Sequence, residues 1–414
     1  MFLCSSLVLY FRLDPVTRQT VWAEDGLTFL EQNIQFGFWR SLFVPYAGYF
    51  QFVPRLIVEA AKGLFGLAHY AFGITVLTCL VCGFIVACTF VFAKAIMLTR
   101  TGQMWLTLIP ILLPALPCEV LGNAANIHGF FLWLMPWLLL YSTKSRLGKI
   151  GCVILAVIAC LTEFQVILFM PLLLYRFKDR GRWPTSIAFL SGCLVQIVVT
   201  MYSPRPYVPN TYSFVTIIGG YIYDVFAGAW TTNHVIDSVS LTVKAPTLFG
   251  AIAMVVVAGL MVAFVVIGLN MAKRNGQLPS TLPIMIMLGL VSIASFCAAA
   301  YVNDGIHISL SQPSRYAVVP SMLVLAIIGI SGDRVFAYGN SKKLRVMAWV
   351  VMIAIIIAGL LSFQPNTKRS QGPIWDPSAQ SAIQACQTAS TDQAIIQQAP
   401  AGWWVTLPCS IVDG

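Results

Sequence analysis

Glu24 and Asp25, in Trp22-Ala23-Glu24-Asp25-Gly26, are the only adjacent acidic pair in the 414-residue chain. A carboxylate held at a membrane surface can take a proton from a weak hydroxyl nucleophile as that hydroxyl attacks. The same pair could equally cap a helix N-terminus, where acidic side chains complement the dipole. Both readings stand on these residues alone. Further along, Glu119-Val120-Leu121-Gly122-Asn123-Ala124-Ala125-Asn126-Ile127-His128 gathers a carboxylate, two amides and an imidazole. Glu119, Asn123, Asn126 and His128 could hydrogen-bond the hydroxyls of a sugar, or satisfy one another in a polar turn between helices. Glu163 lies in an otherwise apolar segment, where an ionisable group is a functional candidate by default.

Arg315-Tyr316 opens an apolar run, and Arg205 follows another in Ser203-Pro204-Arg205-Pro206. A guanidinium at an outer membrane interface suits a lipid phosphate, and headgroup snorkelling accounts for it as well. No Asp-x-Asp occurs, so no metal is called for and no cofactor is expected; metal dependence stays open. Most of the eleven Cys lie in apolar runs as small buried hydrophobes. Cys386 and Cys409 lie instead in the polar tail, where a disulfide is expected in an oxidising compartment.

The elements that must position these groups are membrane spans. Hydrophobic residues make up 58% of the chain and charged ones 10%, and mean hydropathy is +0.81. Lipid is therefore the solvent for most of it. Apolar runs at 69–93, 183–203, 247–272, 281–301, 316–332 and 346–363 have spanning length, and shorter runs at 104–118 and 127–141 flank the polar stretch 119–126. The residues before Arg12 supply a short first span, about 16 Å as a helix. It is completed by snorkelling of Arg12, or by a start site further upstream; a cleaved signal peptide is not expected. The run 150–175 has Glu163 at its centre and basic clusters at both ends, which predicts a re-entrant hairpin of two short helices. About nine spans plus this hairpin make an all-α polytopic membrane protein.

Connectors 94–103, 142–149, 176–182, 273–280 and 333–345 then share one side and carry fifteen of the twenty-five Lys and Arg. That side is the cytoplasm, so the +10 net charge reflects membrane orientation and calls for no nucleic acid. The large segments, 12–68, 204–246 and 364–414, are external. The short cytoplasmic connectors cannot enclose a nucleotide sugar, and no Gly-rich phosphate loop occurs. From Leu27 the positions Leu30, Ile34, Phe38 and Leu42 keep helical spacing, which predicts a continuous helix lying in the interface, with Tyr46, Tyr49 and other aromatic residues at headgroup level. Residues 1–363 form the membrane domain, and 364–414 an external cap.

The stretch Trp22 to Gly26, then Pro45-Tyr46-Ala47-Gly48-Tyr49 and Pro54-Arg55, resembles the first external loop of bacterial glycosyltransferases of the GT-C type. Glu119 to His128, Arg315-Tyr316 and Gly402-Trp403 before Pro408 extend the resemblance along the chain. The serotype-converting O-antigen glucosyltransferases (Gtr family) are the members it is most similar to. The resemblance implies a multi-pass protein of the bacterial inner membrane with a periplasmic catalytic face. It further implies an undecaprenyl-phosphate sugar donor, with glucose as the sugar, an O-antigen polysaccharide of lipopolysaccharide as acceptor, and a donor synthase and donor flippase as partners. The catalytic base falls on Asp25 or Glu24, as an exposed loop carboxylate. Tyr46, Tyr49 and Arg55 join Glu119, Asn123, Asn126, His128, Glu163, Arg205, Arg315 and Tyr316 as substrate-binding candidates. Two other classes compete. An O-antigen polymerase or ligase would rely on Arg and His rather than a first-loop carboxylate, and a lipid flippase or transporter would spread charges along several spans.

Overall fold

The computed structural model describes residues 1–206, 212–230, 248–303, 315–365, 367, 369–388 and 392–412. Among the described residues six helices are long and apolar enough to cross a membrane: Tyr70–Ala95, Trp183–Tyr202, Val255–Arg274, Leu278–Val302, Arg315–Tyr338 and Lys342–Leu361. The chain is a polytopic helical membrane protein. The other expected spans are shorter helices, Phe2–Phe11, Arg100–Leu112 and His128–Leu140. The second stops where Leu113 turns extended ahead of Pro114, a residue that disfavours helix before it. Arg315–Tyr338 is the most enclosed of the six and lies at the centre. Its Gly329 lets Trp105 of Arg100–Leu112 come so close that a Cβ there would stand 2.0 Å from the indole, the small-residue contact typical of membrane helices.

One end of the bundle is tied by Asp333. Its carboxylate accepts the backbone N–H groups of Leu98 (2.8 Å) and Thr99 (2.9 Å) and pairs with Arg334 (2.6 Å), which also donates to the Ile96 carbonyl. Arg12, Arg182, Arg334 and Arg369 are all buried and donate to backbone carbonyls. Arg12 thus does not snorkel to the interface: it reaches the carbonyls of Ile111, Leu113, Ser362 and Phe363, joining the ends of two helices.

The segment after the fourth apolar run goes out and comes back. Arg146–Thr162 is α-helical and Phe164–Leu173 is a 3-10 helix, with Glu163 between them. Ser142 and Asp179 meet at the base. A 3-10 helix rises about 2.0 Å per residue, so its ten residues cover about 20 Å, the length of the thirteen-residue α-helix His128–Leu140 at 1.5 Å per residue. The two are joined at both ends. Glu163 meets His128 at one end, and at the other Arg182 donates to the carbonyls of Leu139 and Leu172.

The expected continuous helix after Leu27 is instead three pieces. Asp25–Leu30 is a π-helix and Glu31–Phe36 an α-helix, then Gly37, at φ +74°, turns the chain into Phe38–Ser41. A second, amphipathic helix, Phe52–Phe65, follows. In the segment 204–246, Phe214–Gly220 and Tyr221–Ala227 are helical and pack Ile217 and Val225 on Phe296, Ala300 and Ala317 of the spans, so this segment is not wholly an external loop. Positions 207–211 and 231–247 of it lie outside the described residues. The cap has the helix Trp375–Gln387 and an antiparallel hairpin, β1 (Gln393–Gln398) and β2 (Trp403–Pro408), closed by the Cys386–Cys409 disulfide. The all-α description therefore holds for the membrane part. In β1 strict alternation of buried and exposed residues produces a strand.

Candidate functional site

The polar stretch 119–126 folds as a turn that satisfies itself. Asn123 Oδ1 accepts from the Asn126 N–H (2.9 Å), and the two amide groups donate to the Glu119 carbonyl at 2.6 and 3.1 Å. Asp25 takes the turn from one side: its two oxygens accept the N–H groups of Ala124 (3.0 Å) and Ala125 (2.7 Å). Arg369 takes it from the other side, donating to the carbonyls of Leu121 (2.5 Å) and Gly122 (3.0 Å). Asp25 is 0% exposed, contrary to its expectation as an exposed loop carboxylate. Burial pushes its carboxyl up to about 7, although the two N–H bonds and Arg369 favour the ionised form. Burial likewise lowers Arg369 to about 10, with Asp25 opposing.

Glu24 faces the other way. Ala23, immediately before it, has φ +38°, a left-handed conformation that costs a non-glycine residue about 1–3 kcal/mol. The cap holds it there. Ala23 N–H donates to Ala399 (2.6 Å), Ala399 N–H to Val21 (2.9 Å), and the Gln398 amide to the Ala23 carbonyl (2.9 Å). Gly26 makes this docking possible: a Cβ there would lie 2.1 Å from Gln398 Oε1 and 2.5 Å from Val405 Cγ2. The Glu24 side chain is 15% exposed. Its Oε1 accepts from the Tyr46 hydroxyl at 3.4 Å and lies 3.9 Å from Arg315 Nη1. Its Oε2 is buried with no protein hydrogen-bond partner. Burial, then Glu24, push the Tyr46 phenol up to about 12.

Arg315 joins the two layers. Its Nη1 lies 3.6 Å from Glu119 Oε1 and donates to Asn126 Oδ1 (3.3 Å); its Nη2 donates to the Tyr316 hydroxyl (3.2 Å). Tyr49 is near this group. Burial raises its phenol well above the usual value, Glu163 adds to that, and Arg315 and Arg205 oppose it. Arg205 is exposed beside Gly48 and donates to Asn303. His128 pairs with Glu163, whose other oxygen caps the 3-10 helix through Gln165 N–H (2.7 Å).

Glu24, Tyr46, Glu119, Asn126, Arg315 and Tyr316 are thus brought together from four separate stretches of chain, with Asp25 and Asn123 as the frame behind them. Arg55 is set apart. It is buried in the first segment, donates to Gln32 (2.8 Å) and lies over the Phe29 ring. Among the described residues no three His, Cys, Asp or Glu side chains gather in a way that could hold a metal ion. Arg369, Gln398 and Tyr70, whose hydroxyl donates to the Asp25 carbonyl (2.9 Å), were not candidates from sequence. Only the isolated basic pair Lys368-Arg369 in a Gln- and Ser-rich tail could have pointed to one of them.

No family model matches the chain, and no curated protein matches it. Among solved structures the chain is similar to ArnT from Cupriavidus metallidurans bound to undecaprenyl phosphate, at 15% identity and a TM-score of 0.48, over 99% of this chain and 67% of that one. The apo state of ArnT matches at 15% identity and a TM-score of 0.45, over 99% and 66%. The chain spans about two thirds of the length of those structures.

Proposed function

We propose that this protein is a membrane glycosyltransferase of the GT-C type that moves a sugar from a polyprenyl-phosphate donor to a glycan acceptor on the periplasmic side. The observation that carries the reading is the convergence of Glu24, Glu119 and Arg315 at the opposite end of the central helix from Asp333 and its basic connectors. A site fed from that side receives no nucleotide sugars, whereas a lipid-linked sugar reaches it through the bilayer with its phosphate at the interface.

Glu24 is the base in this reading. Its Oε2 has no protein partner and can accept a proton, whereas both Asp25 oxygens are engaged by backbone N–H groups. The acceptor hydroxyl gives its proton to Glu24 as its oxygen bonds to the anomeric carbon. The bond from that carbon to the phosphate oxygen breaks, and the leaving lipid phosphate is neutralised by Arg315, with Arg205 at the rim. A single displacement of this kind inverts the anomeric centre. Undecaprenyl phosphate as the carrier, glucose as the sugar and O-antigen as the acceptor follow from the sequence resemblance.

The test is transfer by the purified protein from undecaprenyl-phosphate glucose to O-antigen polysaccharide, with the new linkage assigned by NMR. Inverted product, lost in Glu24→Gln, is expected. Full activity in Glu24→Gln and Asp25→Asn alike would sink the assignment and favour a polymerase or ligase built on Arg and His.

A further inference from the structure

The hairpin of the cap has two unlike faces. The register pairs Ala394 with Leu407 and Ile396 with Val405, all buried, on the inner face; it pairs Ile395 with Thr406 and Gln397 with Trp404 on the outer face. Ile395 is 60% and Trp404 55% exposed, and Trp403 is exposed at the turn end. The inner face is accounted for, since Val405 packs on Gly26, and the edge of β2 is met by Glu31, which accepts from Thr406 N–H. The outer face is an aromatic and amide surface one residue along β1 from Gln398, which bonds the Ala23 carbonyl.

Its chemistry narrows what it fits. A soluble surface ordinarily has about 25–35% charged residues. Among the described residues from 369 to 412 the charged ones are Arg369, Asp376 and Asp392. Arg369 is buried under the polar turn, and Asp376 pairs with His69 at 3.0 Å. Asp392 precedes β1 at its far end, about 17 Å from Gln397 at strand rise. What the cap presents instead is amide, Gln380, Gln384, Gln387 and Gln397 all being exposed. An indole face offers a broad flat surface at low entropy cost, and an amide both donates and accepts. Together they suit a neutral polyhydroxylated chain, whose sugar rings have one apolar face and many hydroxyls. A membrane-anchoring face sets Trp beside Lys and Arg, and this face has neither.

The geometry points to a subsite for a neutral glycan on the outer face of this hairpin, centred on Gln397 and Trp404, that leads the acceptor chain toward Glu24. It rests on the transferase reading and names where that reading's acceptor is held. The connection is short: Gln398, next to Gln397, bonds the Ala23 carbonyl, and Ala23 precedes Glu24.

The experiment titrates the detergent-purified protein with delipidated neutral O-polysaccharide, read by tryptophan fluorescence, and measures transfer kinetics for Trp404→Ala and Gln397→Ala. Saturable binding is expected in the wild type. In Trp404→Ala, acceptor KM should rise about tenfold, as for a truncated aromatic anchor, with kcat little changed. Trp404→Phe should recover part of the loss. Equal KM in wild type and Trp404→Ala overturns the subsite. Reconstitution with brominated lipid supplies the other overturning result, quenching in the wild type that disappears in Trp404→Phe, which places the ring in the membrane. Donor turnover by the wild type is scored separately: its absence counts against the transferase reading, whereas turnover with unaltered acceptor KM counts against the subsite alone.

Discussion

Glu24 Oε1 lies 3.9 Å from Arg315 Nη1, and the same nitrogen lies 3.6 Å from Glu119 Oε1. One guanidinium therefore stands between two carboxylates from different parts of the chain. Its Nη1 also donates to Asn126, and Nη2 donates to Tyr316. Lys offers a point charge and cannot hold this fan of partners at once. Arg315→Lys should raise the donor KM with partial loss of turnover, and Arg315→Ala should lose more. Steady-state kinetics against donor concentration would show it. An unchanged donor KM in Arg315→Ala would return this residue to an interfacial anchor.

Adjacent acids should behave differently when neutralised. Glu24→Gln removes a base and should lower transfer by about 10²–10⁴-fold. Its thermal midpoint should hardly move, since no backbone group depends on Glu24. Asp25→Asn sets an NH2 donor against a buried N–H of Ala124 or Ala125, and an unpaired group of that kind costs about 1–3 kcal/mol. Its thermal midpoint in detergent should fall. Equal midpoints for wild type and Asp25→Asn would contradict the framing role.

Asp25 also predicts a pH dependence of stability. Burial raises its carboxyl to about 7 in the fold, against about 3.9 in an unfolded chain. Between those values the folded state holds the proton that the unfolded state has released, so stability falls as pH rises. The contribution is complete below about pH 4, is lost as pH rises through about 7, and is flat above. Thermal midpoints from pH 4.5 to 8 should show this fall in the wild type and not in Asp25→Asn. Parallel profiles would assign it to another group.

Gly26→Ala drives a methyl group into Gln398 and Val405. Gln398 can swing aside, but Val405 is a buried strand residue, and such overpacking costs about 1–3 kcal/mol. The hairpin should lift from Ala23, and transfer should fall although no catalytic group is altered. Adding Val405→Ala should restore part of the activity. A fully active Gly26→Ala would mean that the cap is not needed for transfer.

Much of the architecture was legible because it is written locally. Span length, the polar break at Glu163 and the basic connectors each occupy a few consecutive residues, and Cys386 and Cys409 were singled out by the polarity around them. The candidate site was legible by residue type: Glu24, Tyr46, Glu119, Asn126, Arg315 and Tyr316 were candidates and come together. Glu24 and Asp25 could not be told apart, because their opposite facing depends on the left-handed backbone at Ala23, imposed by Ala399 and Gln398 from the far end of the chain. Arg369 escaped for the same reason. Its role is a set of bonds to the carbonyls of Leu121 and Gly122, and no periodicity reports such bonds. The helix after Leu27 failed at Gly37, where apolar spacing continues through a residue that turns the backbone.

The pairing of Val21 and Ala23 with Ala399 also bears on the order in which the molecule is made. Ribosomes deliver Glu24 well before the residues that seat it, which follow the span Lys342–Leu361. Until then the backbone at Ala23 has nothing to hold it left-handed, although Asp25 already has its partners at Ala124 and Ala125. Only a molecule that has made Lys342–Leu361 and both strands of the hairpin can set Glu24 in place. Chains stalled short of Gln398 should therefore be inert however well their spans insert.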